Sequence, residues 1–124
     1  MSIGVTRLNH VNVTVPAALE EAARHFYGDV LGLPQLPKPV GPRQYIGAWY
    51  ELGNSQLHLS IEEGAQNELS DRHVCYQVSD IEIAQQQFEE AGIQIIPDED
   101  PVRGQRRFFV RDPGDNMLEI TQGV

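Results

Sequence analysis

The chain repeats itself. His10-Val-Asn-Val-Thr-Val15 aligns with His73-Val-Cys-Tyr-Gln-Val78, and Gly53-Asn-Ser-Gln-Leu-His58-Leu-Ser aligns with Gly114-Asp-Asn-Met-Leu-Glu119-Ile-Thr. Between these stretches each half carries a polar, Ala-rich segment with Phe26 or Phe88, ending near Gly32 or Gly92. The intervals agree too: 48 residues from His10 to His58 and 46 from His73 to Glu119. Four side chains of metal-ligating type thus stand at equivalent places in the two halves. In a chain of 124 residues, long enough to bury one core, the halves are expected to be modules of a single domain, 1–124. Module one covers about 5–64 and module two about 70–122.

Alternation of apolar and polar residues predicts how each half folds. From 8 to 15, Val11, Val13 and Val15 share one face while Leu8, His10, Asn12 and Thr14 share the other, the pattern of a half-buried strand. Pro16 ends it. Leu19, Ala22, Ala23, Phe26, Val30 and Leu31 then recur at helical spacing until Gly32. Pro34 to Pro42 reads as a loop, Tyr45 to Leu52 as a strand, Gly53-Asn54 as a turn and Gln56 to Glu62 as a strand. The second half repeats this order. Arg72 to Val78 is a strand, and Ser79 is the expected N-cap of a helix from about Asp80 to Ala91, with Glu82 completing a capping box and Gly92 as the stop. Strands follow near Gln94 to Ile96 and Arg106 to Arg111, then a turn at Asp112-Pro-Gly-Asp115 and a strand Asn116 to Thr121.

In every ligand-bearing strand the aliphatic neighbours claim one face for the core, which leaves His10, His58, His73 and Glu119 on the opposite face. If the sheets curl toward each other, the four converge on a cup that would hold a divalent cation, zinc for example at about 2.0–2.2 Å. A lone strand histidine or glutamate is ordinarily a surface or hydrogen-bonded residue; four in register within a repeat are a set. His25 lies in the helical stretch and is assigned to the surface. Cys75 shares the face of His73, although a single cysteine is ordinarily a small buried hydrophobe.

Composition narrows the partners. A net charge of −9, with one lysine in the chain, argues against nucleic acid, which requires a basic face to displace counterions. Arg103, Arg106, Arg107 and Arg111 gather four of the nine positive charges. They either pair with Asp98, Glu99, Asp100 and Asp112 or form a lip that attracts an anionic substrate. No run of about 18 apolar residues is present, no signal-peptide order opens the chain, and a single cysteine forms no internal disulfide, so a soluble cytoplasmic protein with no membrane partner is expected.

The stretches Leu8-Asn-His-Val-Asn-Val, Phe26-Tyr-Gly-Asp-Val-Leu-Gly-Leu33, Tyr50-Glu-Leu-Gly and Phe108-Phe-Val-Arg-Asp-Pro-Gly-Asp-Asn-Met-Leu-Glu119 resemble the vicinal oxygen chelate superfamily. That superfamily includes glyoxalase I, extradiol dioxygenases, methylmalonyl-CoA epimerase and the fosfomycin- and bleomycin-resistance proteins. The resemblance implies an α+β fold of two βαβββ modules forming a cupped mixed sheet around a metal, in a chain that forms homodimers and often combines ligands from both subunits. It implies that His10, His73 and Glu119 are the recurring two-histidine, one-carboxylate set, with His58 where some members supply a fourth ligand. Asn12 stands where fosfomycin-modifying members carry Thr, and no arginine follows Glu119, which counts against fosfomycin chemistry.

The expected function is therefore that of an enzyme using one divalent metal per site (zinc, nickel, iron, manganese or cobalt) on a small oxygen-chelating substrate. An isomerase or lyase of the glyoxalase type comes first and a dioxygenase second. Glu119 would be the proton shuttle, and Asn12, Trp49, Gln56, Ser60, Cys75 and Thr121 would line the cup. The alternative is a protein that holds a small molecule or antibiotic in the same cup and catalyses nothing.

Overall fold

The computed structural model describes residues 1–39, 47–100 and 104–123. Two four-stranded mixed sheets carry the fold. Sheet A contains β1 (His10–Val15), β2 (Gln35–Leu36), β3 (Gly47–Leu52) and β4 (Ser55–Ile61), in the order β1-β4-β3-β2. Sheet B contains β5 (His73–Val78), β6 (Ile96–Pro97), β7 (Arg107–Arg111) and β8 (Met117–Gln122), in the order β5-β8-β7-β6. In each sheet the first and last strands of the module run parallel and the other pairs antiparallel. Helix α1 (Glu20–His25) lies between β1 and β2, and α2 (Ile81–Glu90) between β5 and β6, so both halves are βαβββ modules.

Local sequence accounts for the boundaries. Pro16, lacking an N–H and held at φ −66°, closes β1 and opens a 3₁₀ turn, Ala17–Leu19, that leads into α1. A π-type turn at Phe26–Val30 prolongs α1. Gly32, at φ +75°, then reverses the chain. In α2 the cap is Asp80, not Ser79: its Oδ1 accepts the backbone N–H groups of Glu82 (3.0 Å) and Ile83 (3.1 Å). Glu82 therefore sits one place too early for a capping box, because a carboxylate competes better than a hydroxyl for those donors. The segment expected as loop from Pro34 also forms β2, although Val40 to Pro42 and the expected strand start at Tyr45 lie outside the described residues.

The aliphatic faces meet as expected from their alternation. Val15, Leu57, Leu59, Leu118 and Ile120 are buried, and one apolar cluster draws on both modules. Phe88 of α2 stands edge-on to Phe108 (5.9 Å) and faces Phe26 after α1 at 6.3 Å. These aromatic contacts join the helical layers of the two halves.

A polar junction completes the joint. The buried Asp112 carboxylate accepts the Tyr27 hydroxyl at 2.5 Å, the backbone N–H groups of Gly114 and Asn116 at 2.9 Å, and the Asn116 side-chain amide. The same amide donates to the Thr14 carbonyl of β1 at 2.8 Å. Gly114 packs so close that a Cβ there would stand 2.8 Å from the Thr14 carbonyl oxygen. Among the described residues no helix is long and apolar enough to cross a membrane.

Asp112→Ala takes the acceptor from the buried Tyr27 hydroxyl and from two partly buried backbone N–H groups, and is expected to lower unfolding free energy by roughly 3 kcal/mol. Tyr27→Phe, which removes one donor and leaves the carboxylate its others, costs about half of that. Urea unfolding of the two variants reads the difference; equal, small losses would contradict the junction's role.

Candidate functional site

The open faces of the sheets, opposite the helices, carry the polar side chains of the repeat. On sheet A, Asn12 is opposite His58 and His58 opposite Trp49, so the three share a row. The His58 ring lies between two others, 4.0 Å from Trp49 with the planes 2° apart and 4.1 Å from His10 at 15°. Its Nε2 meets the Gln56 side-chain oxygen at 2.8 Å. Burial, then the neighbouring His10 and Lys38, holds its pKa below the usual histidine value. The Ser60 hydroxyl donates to Asn12 at 2.7 Å.

On sheet B, His73 and Glu119 form the matching pair. The Nδ1 of His73 bonds the Asp71 carbonyl at 2.9 Å; a carbonyl only accepts, so Nδ1 carries the hydrogen and a neutral ring holds its lone pair on Nε2. That nitrogen faces Glu119 Oε1 at 3.1 Å. Two acceptors at this separation call for a cation between them, either a proton or a metal ion. His10 is arranged similarly, with Nδ1 at 3.0 Å from the Asn9 side-chain oxygen. Such outer contacts fix ring orientation in metal sites.

Glu119 has two further neighbours. Arg107 reaches its Oε1 at 3.5 Å while its Nε bonds Asp98 at 2.9 Å, a contact that holds the Asp98 carboxyl below the usual range. Cys75 stands opposite Glu119 in the ladder. Its thiol is pushed up to about 11 by partial desolvation against the sheet, then by its hydrogen bond to Glu119 and the charge of that carboxylate. Phe109 stands edge-on to His73 at 5.9 Å, with the Arg107 guanidinium over its ring.

The expected site residues therefore fall into two groups. His10, His58, Asn12, Trp49, Gln56 and Ser60 gather on sheet A, and His73, Glu119 and Cys75 on sheet B. Thr121, opposite Arg107 in the ladder and so on the open face, is buried and donates its hydroxyl to the Arg106 carbonyl (3.1 Å). Cys75 is exposed there rather than buried in the core. His25 is on the surface, 2.8 Å from Asp29. The four ligand types do not converge within one chain, and among the described residues no three His, Cys, Asp or Glu side chains are placed to hold one metal ion. His73 and Asn12 do share a cleft of about 500 Å³ between the edge strands β1 and β5. Of the arginine cluster, Arg106 pairs with Glu82 (3.1 Å), Arg107 with Asp98 and Glu119, and Arg111 bonds the Asp115 carbonyl; Arg103 lies outside the described residues.

Residues 7–120 match the model of the glyoxalase/bleomycin resistance protein/dioxygenase superfamily. The chain belongs to that superfamily. Among its relatives is the mitochondrial methylmalonyl-CoA epimerase of Bos taurus, 30% identical over 94% of this chain and 74% of the relative. A glyoxalase family protein from Bacillus anthracis superposes with a TM-score of 0.88 at 30% identity, covering all of both chains. Lactoylglutathione lyase from Agrobacterium tumefaciens gives 0.73 at 21% identity, over 96% of this chain and 95% of that one, a likeness of fold. The glyoxalase-superfamily fold thus places both halves of the repeat as paired modules with polar open faces.

Sequence reasoning overlooked Arg107 as a neighbour of Glu119, although its alternation with Phe108 and Val110 would have set it on the open face. In chelator-treated protein at pH 8, a thiol titrating near 11 is roughly 0.1% thiolate, so Cys75 should alkylate slowly with iodoacetamide. Glu119→Gln removes the negative charge beside it and is expected to speed alkylation several-fold; an unchanged rate would mean that Glu119 does not hold the thiol.

Proposed function

We propose that the protein is a divalent-metal-dependent enzyme of the glyoxalase type, an isomerase or lyase that moves a proton at a carbon next to a carbonyl. The observation that carries this reading is the His73–Glu119 pair, in which a ring nitrogen, oriented by the contact of Nδ1 with the Asp71 carbonyl, faces a carboxylate oxygen at 3.1 Å. The donors suit a divalent cation such as zinc, nickel, iron, manganese or cobalt. His10 and His58 of one chain would complete the set with His73 and Glu119 of a second copy, since the two pairs stand on different sheets. A homodimer follows from that division, and it accords with the superfamily resemblance.

When bound, the cation offers two neighbouring substrate oxygens a common positive partner and offsets the charge that develops on them. The side chains do the rest. Asp71 and Asn9 keep the rings of His73 and His10 oriented through Nδ1. Trp49 and Phe109 are apolar walls that limit water. Glu119 takes the substrate proton and returns it, while Arg107 and the protonated Cys75 steady its carboxylate between these states. The similarity to an epimerase supports proton transfer over dioxygen chemistry.

Titration calorimetry and elemental analysis test the metal. About one cation per chain is expected, with affinity falling about 100-fold or more in His73→Ala and Glu119→Ala and by a smaller factor in His58→Ala, whose nitrogen is already engaged by Gln56. Loaded protein should exchange the α-hydrogen of 2-hydroxy- or 2-substituted carbonyl substrates for solvent deuterium, followed by NMR. Metal binding without exchange would favour a small-molecule binding protein; no metal binding would end the proposal.

A further inference from the structure

The cation that an anionic substrate would need is not in the arginine cluster of module two, whose described members are committed: Arg106 to Glu82, Arg107 to Asp98 and Glu119, Arg111 to the Asp115 carbonyl. Arg72 is different. It stands immediately before β5, beside His73, and lines the cleft between β1 and β5. Its Nε lies 3.4 Å from the Ser70 hydroxyl oxygen, and among the described residues neither terminal amino group meets a protein acceptor. Acidic residues outnumber basic ones 18 to 9 in this chain, so an arginine with no carboxylate partner is an exception that asks for a reason.

The cleft follows from the topology. β1 and β5 are each the edge strand of their sheet, and the space of about 500 Å³ between them is of the size that small-molecule sites have. Val11, Val74 and Met117 give it an apolar lining, and His73 joins it to the chelating pair. Ser70 prepares the arginine: its Oγ accepts both the Arg72 backbone N–H at 3.1 Å and Nε, which turns the side chain back along its own backbone and leaves the edge formed by the two amino groups open. A hydroxyl that accepts twice still has its own hydrogen to donate. The segment leading to Ser70 is itself held, since the Asn67 amide donates to the Gly114 carbonyl at 2.9 Å. Glu62 also lines the cleft, with its Oε1 accepting the Thr14 hydroxyl at 2.8 Å.

We infer that Arg72 and Ser70 are specificity residues that receive a carboxylate carried by the substrate, in the cleft next to the chelating oxygens. The two amino groups of a guanidinium form a planar fork that matches the two oxygens of a carboxylate. The apolar lining suits a short run of methylenes between that group and the chelating end. Glu62 sets the limit on charge, because a phosphate dianion would bring a second negative charge into a cleft that already holds one. Around the cleft the chain has a net charge of −9, so the arginine decides whether an anionic substrate is accepted or repelled. The inference rests on the proposed metal enzyme for the chelating end of the substrate, and on the cleft alone for the carboxylate end.

Chelating probes of graded length test this on metal-loaded protein. Acetohydroxamate binds a metal through two adjacent oxygens alone, and the monohydroxamates of malonic, succinic and glutaric acids add a carboxylate one, two or three methylenes away. At least one of the three should bind the wild type about tenfold or more tightly than acetohydroxamate. Arg72→Gln should bring that probe within about twofold of acetohydroxamate, whose own affinity it leaves in place, and Arg72→Lys, which keeps the charge without the fork, should recover only part of the preference. No preference in the wild type, or one that survives in Arg72→Gln, overturns the inference. Should the protein take up no metal, the metal reading fails by itself, and metal-free protein decides the arginine. Glutarate should then shift the backbone amide NMR signals of Ser70 and Val74 to saturation in the wild type but not in Arg72→Gln. Absence of saturation, or tighter binding of inorganic phosphate than of glutarate, overturns the carboxylate site.

Discussion

Much of this molecule turns on a buried carboxylate that few alternatives could replace. Asp112 is 4% exposed, and burial raises its pKa against the pull of the Tyr27 hydroxyl, the Asn116 amide and two backbone N–H groups. Because the folded value is raised, the charge costs stability as pH climbs from the ordinary carboxylate range through the folded value. Ionisation is thus a cost at neutral pH, and what the group contributes is an acceptor for the donors gathered round it. It ties Tyr27 in module one to the turn that opens β8, and the amide it holds is also bonded to β1. Glu119 lies on β8, seven residues from this anchor, so the placement of the site carboxylate relative to module one follows from a contact on the buried side.

Strand parity then divides the labour. Each sheet commits alternate side chains to the shared core and presents the rest on the open face, and the repeat makes the two faces equivalent in position without making them equivalent in chemistry. Sheet A offers stacked rings, amides, a hydroxyl and a lysine. Sheet B offers an imidazole, a carboxylate, a guanidinium and a thiol, all within reach of Glu119. Charge is the sharper difference. His58 sits among groups that disfavour its protonation, whereas Glu119 is flanked by Arg107 and His73. Among the described residues neither face places three ligand types for one ion, and this is why the proposed centre draws on a second copy.

The period-two alternation was enough to read β1, β4, β5 and β8 and the face of every ligand type, because the valine, leucine and isoleucine positions leave only one side open. The helix cap was less legible: Ser79 and Asp80 are both good caps, and only the geometry shows that the carboxylate receives the N–H groups. Thr121 obeyed parity but turned its hydroxyl to a backbone carbonyl, a choice made by the neighbouring strand and not by its own sequence. Convergence of the four ligand types depends on how whole sheets face one another, which no local pattern encodes. Asp112 seemed a partner for nearby arginines, since its contact with Tyr27 spans 85 positions of sequence.

Lys38 shows the same limit from the opposite direction. Flanked by Pro37 and Pro39, it has the surroundings of a loop residue, and proline withholds the N–H that would advertise a strand. Only β2, two residues long, gives the register, and the ammonium comes to 3.6 Å from where a Cβ on Gly47 would stand. A Cβ at Gly47 would stand 2.2 Å from the Leu59 carbonyl oxygen of β4, so the glycine is needed twice: once for the φ of +135° it allows and once for the close approach of β4.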